Sequence, residues 1–144
     1  MTPQSFALFF LSLLSLSLFA RLVLMLRQMR HVRLNRDRVP EPFAQVISGD
    51  AHRKAADYLR ARMQVALAGL FIGASFLIGM TWGGGLQALH DQLSHLFSAG
   101  SLLHGIALLA GLAIAGWLIE LPLTLYRIFG VERRFGFNRM TPAL

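Results

Sequence analysis

Three long apolar stretches alternate with polar connections along the chain, and each is long enough to cross a bilayer as a helix, which takes about 20 residues. The first runs from Phe6 to Leu26, interrupted only by serines and by Arg21 near its end. The second, Met63 to Trp82, contains no charged residue. The third extends from Leu102 to Leu125, with His104 near one end and Glu120 near the other. The pattern predicts an all-α polytopic membrane protein with spans at 6–26, 63–82 and 102–125. They are joined by loops at 27–62 and 83–101 and followed by a tail at 126–144. A cleaved signal peptide is the rival reading of the first stretch. However, Met1–Ser5 carries no Lys or Arg, and the apolar run is longer than a usual signal core.

The connections carry their own patterns. Arg27, Arg30 and Arg33 recur every third residue, so the first helix is expected to continue past the membrane with a basic face. Val39-Pro40-Glu41-Pro42 then stops it, because two prolines cannot sit in a helix interior. Ser48-Gly49-Asp50 reads as the next start, with Asp50 the expected N-cap. From Ala51 the pattern is helical through to Trp82, roughly 48 Å at 1.5 Å per residue, which leaves about three turns outside the bilayer. Arg53 and Asp57, four apart, are expected to pair weakly on this segment. Trp82-Gly83-Gly84-Gly85 ends it in a turn, and Leu86–Phe97 reads as a short amphipathic stretch at the surface. Gly69 and Gly73, and Gly111 and Ala115, form small-x-x-x-small steps expected to be packing faces. Ser5, Ser12 and Ser15 form a weakly polar stripe, serving either helix–helix hydrogen bonds or a wet cavity.

Composition narrows the class. Of 144 residues 55% are hydrophobic and 15% charged, against roughly a quarter charged in an ordinary soluble domain. A water-soluble globule and a disordered tail are both excluded. Without cysteine there is no disulfide, no thiolate metal site and no Cys nucleophile. The 14 Lys and Arg outnumber 7 Asp and Glu. Ten of the fourteen lie between Arg21 and Arg62, and Arg127, Arg133, Arg134 and Arg139 follow the third span. The Gly83–Ser101 connection has none. Under the positive-inside rule the first loop and C-terminal end face the cytoplasm, and the N-terminus and second loop face outward. The partner of these arginines is the lipid bilayer rather than nucleic acid, which would want a basic, base-reading face on a soluble fold.

Catalytic chemistry is sparse. His90, Asp91 and His95 raise a metal site, but two histidines five apart point to different helix faces, and a solvated loop accounts for them. There is no HExxH, Gly-rich phosphate loop or nucleophile elbow. Glu120, the one acid inside a span, is a functional candidate by position. The alternative is an interfacial carboxylate held by Arg127 or water, next to a kink at Pro122. Thr141-Pro142 opens a further helix with two residues left, so a piece of a longer polypeptide is expected.

The C-terminal run Glu132-Arg133-Arg134-Phe135-Gly136-Phe137-Asn138-Arg139-Met140-Thr141 resembles the E-E-(K/R)-(F/H)-G-F-N-(K/R)-x-T segment of integral-membrane zinc metallopeptidases of the CAAX prenyl protease type. Leu26–Val32, Arg36–Pro40 and Ala51–Tyr58 resemble bacterial members as well, in the same order. The resemblance covers essentially the whole chain and corresponds to that family's N-terminal membrane domain. It implies a bacterial inner-membrane protease whose helices enclose a water-filled chamber, with zinc held by an HExxH helix and a later glutamate. The HExxH glutamate would activate the attacking water. None of those ligands lies in this chain, so zinc is expected only in the full-length protein, and the remaining catalytic helices are the implied partner. Glu132, Phe135, Gly136, Phe137, Asn138 and Thr141 carry over as structural or substrate-side positions. Arg133 stands where the pattern usually has a second glutamate.

Three functions compete at this level. One is the anchoring and chamber-wall portion of such a peptidase, inactive by itself. A second is a self-contained three-helix accessory or scaffold protein, and a third is a small transporter subunit working through Glu120. Orientation is directly testable because the chain lacks cysteine. Gln92→Cys should react with an impermeant maleimide on intact cells and Ala44→Cys only after lysis; labelling in the reverse order would contradict the assigned topology.

Overall fold

The computed structural model describes residues 2–137. Asn138 and Thr141 therefore lie outside the described residues, as does Arg139. Helix α1 covers Pro3–Leu34, α2 Gly49–Thr81, α3 Gly85–Ser94 and α4 Leu102–Leu125. A π-helical segment, Tyr126–Glu132, follows α4 and leads into a single turn, α5, at Arg133–Phe135. No strand occurs among the described residues. The all-α reading holds.

Three of these helices are long and apolar enough to cross a membrane. In the most apolar part of α1 nothing is buried, and Phe6, Leu13 and Phe19 stand open. Only Val65 and Val131 form a buried apolar core among the described residues. Apolar side chains left this bare need hydrocarbon around them, so the chain is an integral membrane protein. Helix α2, with 33 residues, is about 50 Å long at 1.5 Å per residue. That exceeds the roughly 30 Å of a hydrocarbon core, and its surplus is the charged end from Asp50 to Arg62.

The helix starts are set by short side chains. Thr2 Oγ1 accepts from the Ser5 amide at 3.2 Å, with proline at the first helical position. At α2 the cap is Ser48, whose Oγ accepts from the Ala51 amide at 3.2 Å. The expected cap, Asp50, lies inside the helix and pairs with Arg53. The first helix ends at Leu34, ahead of the prolines, where the Asn35 side chain donates to the His31 carbonyl at 2.9 Å. Pro40 then precedes a 3-10 turn at Glu41–Phe43. On α1, the Ser12 hydroxyl returns to the Leu8 carbonyl at 2.8 Å and Ser5 bonds Thr2. Their hydrogen bonds are thus made locally.

The chain divides into two compact units. One runs from Ala68 to Tyr126 and the other combines the residues up to Leu67 with those from Arg127 onward. Within the first, Gly69 of α2 lies so close to α4 that an added Cβ would meet Leu123 Cδ2 at 3.0 Å. At Gly116 of α4 it would meet Phe76 Cε1 at 3.5 Å. Gly73 faces open space, and Gly111 receives Leu89 of α3 rather than a spanning helix. The close approach between spanning helices therefore uses one glycine of the expected α2 step, and Gly116 on α4. Gly69→Ile should lower the thermal midpoint in detergent by several degrees, in line with overpacking costs of about 1–3 kcal/mol. Gly73→Ala should leave it unchanged or higher, a difference readable by scanning fluorimetry.

Candidate functional site

Phe135 and Phe137 of the C-terminal motif meet α2 at Tyr58, within one compact unit. The approach begins at Pro122, which has no amide hydrogen to donate inside α4. The Tyr126 amide then bonds both the Leu123 and Pro122 carbonyls, and the backbone widens into the π segment. Such insertions shift the register of every side chain that follows. Val131, at the end of this segment, is one of the two buried apolar residues.

Gly136 closes α5 in a left-handed conformation with φ +79°. Its amide donates to the Arg133 carbonyl at 3.1 Å, and the Phe137 amide donates to the Glu132 carbonyl at 2.9 Å. These two bonds make a Schellman cap, whose left-handed position favours glycine. The chain reverses there, so Phe135 and Phe137 both reach one ring. Tyr58 packs on Phe135 edge-on, with centroids 5.4 Å apart, and on Phe137 at 4.5 Å. Aromatic pairs of this kind contribute about 0.5–1.5 kcal/mol each beyond burial. The Arg62 guanidinium lies 5.6 Å from the Tyr58 ring centre and the Arg134 guanidinium 5.9 Å from that of Phe135. Both distances suit cation–π attraction.

One residue before Tyr58, Asp57 receives a two-pronged contact from Arg36. Nε reaches Oδ1 at 2.8 Å and Nη2 reaches Oδ2 at 2.7 Å. Arg36 rather than Arg53 is thus the partner of Asp57, which corrects the expected four-apart pair. Hydrogen bonding from Arg36 holds the Asp57 carboxyl below the usual carboxylate range, opposed by partial burial. Arg36, Arg60 and Arg134 add favourable positive charge. Asp57 in turn pushes the Arg36 guanidinium further up. Beside this pair, His52 Nε2 sits 2.9 Å from the Asn35 carbonyl. Both contacts tie the end of α1 to the start of α2.

The other candidates are separate. Glu120 is exposed on α4 and makes no hydrogen bond or ion pair among the described residues. Glu132 contributes its backbone carbonyl to the cap, and its side chain makes no hydrogen bond or ion pair among the described residues. His104 is buried, and its Nε2 lies 2.9 Å from His90 Nδ1. Asp91 is engaged by Gln87 at 2.8 Å. No group of three His, Asp or Glu converges among the described residues, so they do not fit a zinc ion. Sequence reading missed Arg36–Asp57, Tyr58 and the His90–His104 contact. The available signal for the first two was an acid and an aromatic side by side in an otherwise basic stretch.

Long apolar helices, an almost bare apolar surface and a capped aromatic clasp define a polytopic α-helical membrane protein. The chain belongs to a family of N-terminal membrane domains: the model described as "CAAX prenyl protease N-terminal, five membrane helices" matches residues 28–144. No curated protein and no solved structure matches the chain.

Asp57 makes the clasp sensitive to acid. Its lowered pKa in the folded chain means that the ion pair stabilises at every pH above the unfolded value of roughly 3.9. That contribution is lost as pH falls below it and the folded carboxylate takes up its proton. Thermal midpoints from pH 7 to pH 3 should therefore fall more steeply for the native chain than for Asp57→Asn, which has no carboxylate to titrate there.

Proposed function

We propose that this chain is the anchoring and chamber-wall portion of a zinc-dependent membrane endopeptidase, acting with catalytic helices of the same polypeptide. The observation that carries the reading is the family match over residues 28–144, joined to Phe135 and Phe137 packed on Tyr58 either side of the Gly136 turn. A zinc ion held by those other helices would supply an activated water for peptide hydrolysis. The residues of this chain supply no ligand to it. Their part is to hold the membrane helices and the motif segment in a fixed relation, so that the chamber has a stable wall.

The proposed orientation puts the N-terminus and the 83–101 loop outside and the 27–62 loop and C-terminal tail in the cytoplasm. Supporting it, all fourteen Lys and Arg avoid the Gly83–Ser101 connection. The membrane is then the bacterial inner membrane. The clasp, built from the 27–62 loop and the tail, lies on the cytoplasmic side, where peptide cleavage is also expected.

Purified chain 1–144 supplied with zinc should leave a prenylated peptide uncut, as read by mass spectrometry. Chelator-sensitive cleavage would move the ligands into this chain and overturn the reading.

A further inference from the structure

Beside the clasp, the end of α1 carries two open crevices, both within the same compact unit. One, of about 600 Å³, is lined by Leu24, Arg27, Arg30 and Leu34 together with Gln28 and His31. The other, of about 510 Å³, shares Gln28 and His31 and continues past Val32 and Asn35 to Arg38, His52 and Leu59. Both therefore open on the face of α1 that carries Gln28 and His31. Leu24 lies one turn to the apolar side of Gln28, so the combined groove starts on the exposed apolar surface of α1 and ends among cations.

Arg27, Arg30 and Arg38 have no carboxylate partner among the described residues; the ion pairs there use Arg36 and Arg53. Three unpaired guanidiniums with neighbouring Gln28 and His31 offer many donors, and no acid lines either crevice. Arginine forks match phosphate oxygens, and basic pockets next to membrane helices suit anionic headgroups. The apolar end selects the source of that phosphate. An acidic peptide or a free anion would leave Leu24 and the open face of α1 unused, whereas an acyl chain covers them.

We propose that this groove binds one anionic glycerophospholipid, with its phosphate among Arg27, Arg30 and Arg38 and its acyl chains along the apolar face of α1. The lipid would fasten the α1 end at the bilayer surface, next to the Arg36–Asp57 contact. The site needs neither zinc nor peptidase activity, so it stands or falls apart from the proposed function.

The test uses the full chain in neutral detergent, titrated with dioctanoyl phosphatidylglycerol and read by native mass spectrometry. Saturable binding of one lipid is expected, at least about tenfold tighter than that of dioctanoyl phosphatidylcholine. The variant R27Q/R38Q should lose about tenfold in affinity, and R127Q/R133Q, which removes equal charge elsewhere, should lose little. Should the double groove variant not fold, R38Q alone carries the comparison and should weaken binding several-fold. Equal loss in R127Q/R133Q would show diffuse attraction, and glycerol 3-phosphate binding as tightly as the lipid would show a soluble-anion site. Either result, or no preference over phosphatidylcholine, overturns the proposal.

Discussion

Hydrocarbon offers backbone amides and carbonyls no partner, and each one left open inside a bilayer costs several kcal/mol. Every other feature of this chain follows from that constraint. A segment that spans must bond its backbone internally, which helices of the length of α1, α2 and α4 do. Their side chains, by contrast, need no protein around them, because lipid is as apolar as leucine. Val65 and Val131 are accordingly the only buried apolar residues described, and specificity has to come from elsewhere.

It comes from two sources. Within the spanning segments, Gly69 and Gly116 let Leu123 and Phe76 approach closely, so van der Waals contact replaces the missing hydrophobic contrast. Outside them, polar and aromatic groups take over. Asp57 and Tyr58, neighbours on α2, bind different partners: Arg36 from the end of α1, and the Phe135–Phe137 turn from the end of the described chain. Two consecutive residues in a helix point about 100° apart, so one short stretch can hold a segment on each side.

The Arg36–Asp57 pair is half exposed on both sides, and ion pairs in such settings contribute little net energy. Its value lies in position, since a two-pronged contact fixes the direction as well as the distance of the guanidinium. The Gly136 cap acts in the same sense. A left-handed residue there turns the chain back within one step, and without it Phe135 and Phe137 would diverge rather than share Tyr58. This gives Gly136, set between two aromatics, a physical meaning in this chain.

Helix content, the three apolar spans and the turn that begins at Trp82 were all readable from the linear order, because each depends on composition or on neighbours a few residues apart. The Ser48 cap, the pairing of Asp57 with Arg36 and the seat of the motif on Tyr58 were not. Arg36 and Asp57 are 21 positions apart, and the pattern of charges equally allowed Arg53, four away, as partner. Likewise Gly69 and Gly73 look alike in sequence, yet only Gly69 meets another helix. Local periodicity decides whether a segment is a helix and which environment it needs. Which face of that helix meets which partner is decided by contacts between residues far apart in the chain, and these exist only once the chain has folded.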